Sequence, residues 1–245
     1  MSDFYTALAD HYDALFGCDE QTMAFLTGEG AVAGARVLDV ACGTGACTRF
    51  LLERDVDAHG VDLSPPMVDD ARRRAQAVGV DPGRFIVGDM LEIDGHSAAP
   101  FRLVFCIGNS VSHLGTLAEV EQFIAASSRA LDGGGGRLVI QFVDVSTIPS
   151  GSEKVLPDLV SPEAVMHRVY RRVSPSKITF EATLVVRGQP ARHISQPLLV
   201  IALDEMMPLF SRHGFDRVAA YGGFDRSPPV EESWVRVVSG VSGNR

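Results

Sequence analysis

The run Val37-Leu38-Asp39-Val40-Ala41-Cys42-Gly43-Thr44-Gly45 carries apolar strand positions into a glycine turn, and a helical pattern opens directly after it. Glycines at such a turn let a ligand approach the backbone without meeting a side chain. Alone, the turn is an ordinary strand-turn-helix connection, but two carboxylates give it chemistry. Asp62 closes the next apolar run, 19 residues beyond Gly43, where an acidic side chain can accept from both hydroxyls of a ribose. Its plainer role would be a cap on the helix at Pro65, which Ser64 fills better. Asp89 follows the third run in Gly88-Asp89-Met90, where it could meet an adenine amino group or be a simple acidic loop residue. A dinucleotide fingerprint wants a small residue at position 48; Thr48 stands there and disfavours NAD.

These residues need a scaffold that lines up strand ends. Arg36–Val40, Ala58–Val61, Arg84–Val87, Arg102–Ile107 and Arg137–Val143 read as strands, with helices through Arg49–Leu52, Pro65–Val78 and Thr116–Leu131 between them. Such alternation predicts a parallel, doubly wound α/β sheet covered on both faces. Before it, apolar spacing from Phe4 to Leu26 predicts two short helices. After Val145, Pro- and Ser-punctuated runs at 165–173, 177–187 and 192–201 predict a three-stranded antiparallel insertion. A helix at 204–213 and strands at Phe215–Ala220 and Trp234–Val238 close the chain. The organisation expected is thus 1–30 as an N-terminal helical segment, 31–145 as core, 146–203 as insertion, and 204–245 as the return to the core.

Composition narrows the partners. The chain has 245 residues, 46% hydrophobic and 22% charged, as expected of a globular domain with a large core. Its 22 basic against 31 acidic residues give a net charge of −9, which removes the electrostatic drive for nucleic acid. No run approaches the length of a membrane span, and the N-terminus has no signal-like core, so a cytoplasmic location is expected. The four cysteines form no CxxC pair and are expected as buried thiols, without metal or disulfide. Only Lys154 and Lys177 are lysine, a bias suggesting a high-GC bacterial genome.

Taken in order, VLDVACGTG (37–45), GVDLSPPMV (60–68), GDM (88–90) and FCIGNSVSHL (105–114) resemble the class I methyltransferases that use S-adenosylmethionine. The resemblance implies a Rossmann-like sheet of seven strands, six parallel and one antiparallel, with a helical lid. It implies that Asp39, Ala41, Gly43, Thr44 and Gly45 lie along the cofactor, that Asp62 holds its ribose, and that Leu63 and Met67 border the adenine. Asp89 and Met90 would fix the adenine edge, and Ile107 would approach the cofactor's backbone.

Methyl transfer is an in-line displacement, so the protein must chiefly align an acceptor lone pair and exclude water. The segment around Asn109 and His113 is similar to that of glycine, sarcosine, amino-sugar and antibiotic-tailoring N-methyltransferases. This makes His113 the leading catalytic candidate, with Asn109 beside the substrate; the alternative for His113 is a cap or packing role near Thr116. Tyr12 and Tyr5 resemble lid residues that close on the sulfonium, the alternative being an aromatic stripe docking the helix. Asp13 reads as a cap or surface group. Arg168 could pair with an acceptor carboxylate, although His167, Arg168, Arg171, Arg172 and His193 otherwise read as a solvated strand face. Tyr221 is a further candidate substrate contact.

The expectation is therefore transfer of a methyl group from S-adenosylmethionine to an amine nitrogen of a small molecule, without a metal, in bacterial specialised metabolism. An antibiotic amine such as a lincosamide is one candidate acceptor. The runner-up is O-methylation of a sugar or phenol; a non-catalytic cofactor-binding subunit would bind without turnover. An inserted sheet with exposed strands leaves a homo-oligomer open.

Overall fold

The computed structural model describes residues 13, 15–95, 99–230 and 233–243. Two sheets divide the strands. The first has seven, β1 (Arg36–Val40), β2 (Asp57–Asp62), β3 (Phe85–Val87), β4 (Leu103–Cys106), β5 (Arg137–Val143), β10 (Phe215–Tyr221) and β11 (Val235–Ser242), in the order β10-β11-β5-β4-β1-β2-β3. β11 runs antiparallel to both β5 and β10, and the remaining neighbours are parallel. The expected six-plus-one sheet is present. Strand order reverses between β1 and β4, and the crevice at a reversal is where doubly wound sheets place ligands.

Burial on both faces follows from strand alternation. Leu38, Val40, Val104, Leu138 and Ile140 pack on α4 (Leu117–Ala130) and α5 (Leu203–Arg212) through Phe123, Ile124, Met206 and Phe210. Val37, Leu103, Phe105, Val139 and Val237 face α1 (Glu20–Gly28) and α2 (Ala46–Leu52) through Met23, Phe25, Leu26 and Leu51. α3 (Pro65–Ala77) closes on Phe85 through Val68, Ala71 and Ala75. Local signals set the helix starts. Asp19 accepts from Thr22 N at 2.7 Å ahead of α1, and Thr116 with Glu119 forms a capping box on α4.

The insertion has four antiparallel strands, not the three expected, β6 (Glu153–Val160), β7 (Ala164–Ser174), β8 (Lys177–Val186) and β9 (Arg192–Leu199), in sequence order. β6 escaped notice because Pro157 interrupts it. The pairing with β7 shifts register between Leu156 and Leu159, and a proline without an N–H is tolerated at such an irregularity on an edge strand. The base of this sheet is knotted to the core by Arg172. Its guanidinium donates to the carbonyls of Val145 (2.6 Å), Ser174 (2.6 Å) and Pro175 (2.5 Å), and the residue is 7% exposed. Arg172 is thus not on a solvated face. Asp144 joins both ends of the insertion, accepting from Ser146 N at 3.0 Å and from Leu203 N, at the start of α5, at 3.0 Å.

Cys18 and Cys47 form a disulfide, which corrects the expectation of four thiols. No CxxC spacing announces it because the partners lie 29 residues apart and meet only when the segment before α1 lies against α2. Cys42 and Cys106 are free. Among the described residues, no helix is long and apolar enough to cross a membrane.

Candidate active site

A cavity of about 290 Å³ opens at the C-terminal ends of β1, β2, β3 and β4. Ala41, Gly43, Asp62, Leu63, Met67, Asp89, Met90 and His113 all line it, bringing eight of the singled-out residues together. Ser64, Leu91, Gly108, Ser110, Leu114, Gly115 and Glu119 complete much of the wall.

Backbone conformation shapes the first rim. Ala41 (φ 60°) and Gly43 (φ 55°) both take left-handed conformations, and the turn directs the Gly43 N–H to Asp62 Oδ2 at 2.8 Å. The other oxygen of Asp62 accepts from Ser64 N at 2.8 Å. Asp62 therefore braces the turn and the start of α3 together, while the Ser64 hydroxyl makes no capping bond. Burial raises the Asp62 pKa, and the two amide bonds oppose that rise. Asp89 Oδ1 accepts from Leu91 N at 2.9 Å. Between the two carboxylates, Met67 is buried and Leu63 is exposed on the rim, an apolar setting for a flat ring.

Across the cavity, a 3₁₀ turn at Ser110–His113 follows β4 and presents His113. His113 is not the cap of α4, because Thr116 and Glu119 hold that position. Its ring is accessible to the cavity, but the surrounding protein hydrates the cation poorly, and this burial lowers its pKa below the usual histidine value. Three carboxylates, Asp62, Asp89 and Glu119, line the cavity, and among the described residues no Lys or Arg does. The walls favour a cation.

Several singled-out residues lie elsewhere, each for a physical reason. Asp39 is buried behind the turn, accepting from Thr48 Oγ1 at 2.7 Å, and burial raises its pKa to about 7. Thr48, which breaks the dinucleotide pattern, is thus a partner for Asp39. Gly45 (φ 76°) is needed for packing, since a Cβ there would collide with the Phe85 ring and lie 3.2 Å from Ala71 Cβ. Ile107 joins the cluster beneath α1 and α2. Asn109 turns its Oδ1 inward to Ser112 Oγ and Val143 N, both at 2.8 Å. Arg168 donates to the Pro157 carbonyl at 2.7 Å across the β6 irregularity. The Tyr221 ring packs edge-on against Phe25, and Arg226 donates to its hydroxyl at 3.2 Å. Tyr5 and Tyr12 lie outside the described residues.

Thr44 is fully buried, its hydroxyl donating to Asp13. Asp13 also accepts from Arg49 at 2.7 Å and Arg74 at 3.2 Å, so the expected surface group is an anchor across the glycine turn. The disulfide ties the same segment to α2. Sequence reasoning missed Gln141 as well, whose Oε1 accepts from the amides of Gly108 (2.7 Å) and Asn109 (3.1 Å). A glutamine within Leu-Val-Ile-Gln-Phe-Val was the available signal, since a polar group in a buried strand must find partners.

Residues 37–135 match the methyltransferase domain family. The core is thus a methyltransferase domain with the fold of the S-adenosylmethionine-dependent methyltransferases. A demethylmenaquinone methyltransferase of Tropheryma whipplei is 33% identical over 113 residues, 46% of this chain and 44% of that protein. The match thus spans less than half the length of that relative. A dTDP-3-amino-3,4,6-trideoxy-alpha-D-glucopyranose N,N-dimethyltransferase of Streptomyces venezuelae is 28% identical over 167 residues, 67% of each chain. Among solved structures, a methyltransferase of Clostridium acetobutylicum shares the fold with a TM-score of 0.80 at 16% identity, covering 98% of this chain and 100% of that one. S-adenosylmethionine-bound CalS10 of Micromonospora echinaspora, an amino pentose methyltransferase, aligns with a TM-score of 0.66 at 25% identity, covering 97% and 90%.

Proposed function

We propose that the protein transfers a methyl group from S-adenosylmethionine to an amine nitrogen of a small molecule, in bacterial specialised metabolism. The observation that carries this reading is His113 facing, within one cavity, the carboxylate pair Asp62 and Asp89. The likeness to the two amino-sugar enzymes above supports nitrogen as the acceptor.

The residues present fit the cofactor. Asp62 and Asp89 stand at the ends of neighbouring parallel strands, acceptors matched to ribose hydroxyls and an adenine amino group, with Leu63, Met67 and Met90 as apolar flanks. The acidic walls suit a sulfonium, and among the described residues no lysine or arginine lines the cavity. When bound, the cofactor supplies a methyl group already activated for displacement. The chain's own residues hold the acceptor in line and keep water out. An amine must shed its ammonium proton to present a lone pair, and His113, neutral near pH 7 because of its lowered pKa, accepts that proton on a ring nitrogen.

The test is incubation with methyl-labelled S-adenosylmethionine and a panel of amino acids, amino sugars, amine-bearing antibiotics and phenols, read by mass spectrometry. Label on nitrogen is expected. Label on oxygen would replace this reading with O-methylation, an activity named for a magnesium-protoporphyrin enzyme of Rhodobacter capsulatus matching 24% of this chain at 41% identity. Binding of NAD in preference to S-adenosylhomocysteine would overturn both.

A further inference from the structure

The turn after β4 adopts an unusual backbone. Gly108 (φ 76°) and Asn109 (φ 62°) are consecutive left-handed residues, and asparagine is among the few residues besides glycine that enter that region, its short polar side chain bonding locally. The surroundings of the turn fix it through several hydrogen bonds. Both N–H groups converge on one acceptor, Gln141 Oε1 of β5, at 2.7 and 3.1 Å. Asn109 then fastens the turn a second time, because its Oδ1 accepts from Val143 N at the end of β5 and from Ser112 Oγ inside the next turn. Ser110 Oγ completes the set by donating to the Ile107 carbonyl at 2.9 Å.

We propose that Gln141, acting with Asn109, is a positioning residue that fixes the Gly108–His113 turn on the rigid centre of the sheet and so holds His113 on the cavity wall. β5 is hydrogen-bonded to β4 on one side and β11 on the other, so its backbone cannot yield. A strand filled only for packing would carry an aliphatic residue at 141, like Leu138, Val139 and Ile140 before it. The amide instead is 8% exposed and spends its carbonyl oxygen on two turn amides. The side-chain orientation is fixed by those bonds, since only the oxygen can accept from two N–H donors. The catalytic consequence rests on the methyltransferase reading, whereas the positioning itself does not.

The experiment compares Gln141→Leu, which removes the acceptor, with Gln141→Glu, whose carboxylate still accepts from both amides. Histidine-labelled protein is observed by NMR, the His113 ring signal being the one lost in His113→Gln. S-adenosylhomocysteine affinity and the melting midpoint are recorded in parallel. The parent and Gln141→Glu are expected to give one sharp His113 ring signal, and Gln141→Leu a broadened or split one, with S-adenosylhomocysteine affinity within about threefold of the parent. With any acceptor found by the panel, Gln141→Leu lowers kcat about tenfold at an unchanged cofactor KM, and Gln141→Glu recovers most of the rate. A sharp, parent-like ring signal in Gln141→Leu overturns the proposal. So does loss of the signal, affinity and melting midpoint together in both variants, which would mark Gln141 as a folding residue. Should no acceptor react, the functional reading fails separately, because the ring signal needs none.

Discussion

The two sheets of this molecule are held in place by different physics. In the seven-stranded sheet, all of β4 and the last four residues of β1 are buried, and helices cover both faces. Apolar area fixes that sheet, and many substitutions of similar shape would preserve it. The four-stranded sheet buries only one face, through Ala164, Met166, Ala182 and Leu184, while Val155, Val160 and Val173 are exposed. Its root joins the core through a smaller apolar cluster, with Tyr170, Ile178 and Leu198 against Val143, Val145 and Trp234, and through the polar knots of Arg172 and Asp144. The lesson is that the strand ends lining the cavity are over-determined by the core, whereas the inserted sheet joins it through one smaller apolar cluster and a handful of hydrogen bonds.

Four experiments press on that contrast, the first three from the largest effect to the smallest. His113 sits on the core's own wall, so His113→Ala should cut the methyl-transfer rate about 100-fold or more while S-adenosylhomocysteine binding and melting stay near the parent. The parent rate should rise with pH through a midpoint below about 6.5, the usual histidine value, because the neutral ring is the active form. Equal losses of rate and stability in His113→Ala would return the residue to a packing role.

Arg172→Met removes the guanidinium donor from three carbonyls at the root of the insertion. It should lower stability by about 2–4 kcal/mol in a denaturant titration, yet leave cofactor affinity nearly intact. If cofactor binding collapses with it, the two sheets are not energetically separable and the contrast breaks. Asp62→Ala tests the opposite side, with cofactor affinity expected to fall at least about tenfold, or about 1.4 kcal/mol. Because Asp62 also braces Gly43 and Ser64, Asp62→Asn is a useful second variant, and unchanged affinity in both would remove the ribose assignment.

The fourth experiment, read as a pH slope and not ranked with the losses above, concerns Asp39. Its folded pKa of about 7 lies above an ordinary aspartate value near 3.9, so between those values the folded state keeps a proton that the unfolded chain releases. Stability should therefore be lost as pH rises from about 4 to about 7. Asp39→Asn should flatten that slope in melting curves recorded across the range, and an unaltered slope would show that other groups set it.

Much of this arrangement was legible in the residues themselves. Periodicity placed the parallel strands, and the spacing of Gly43, Asp62 and Asp89 located one cavity, because local pattern and strand-end geometry are both written along the chain. What escaped depends on contacts between distant segments. Asp13 reads as a surface carboxylate until Arg49 and Arg74 are folded against it, and Arg172 looks solvated until Val145 and the Ser174-Pro175 turn close around it. Asn109 reads as a ligand contact because a polar residue beyond a strand end invites that role. Its left-handed backbone, invisible in the sequence, turns the amide inward instead.

The placement of β11 carries a consequence for how the chain is made. It lies between β5 and β10, so the open edge of β5, complete at Val143, has no neighbour on that side until Val235–Ser242 has been synthesised. During translation, the insertion and α5 emerge while the N–H and C=O groups on that edge of β5 remain unpaired, which is the state in which strand edges attract other chains. Completion of the sheet thus waits on its last strand, and a ribosome stalled before residue 235 would hold a nascent chain with the β5 edge still open.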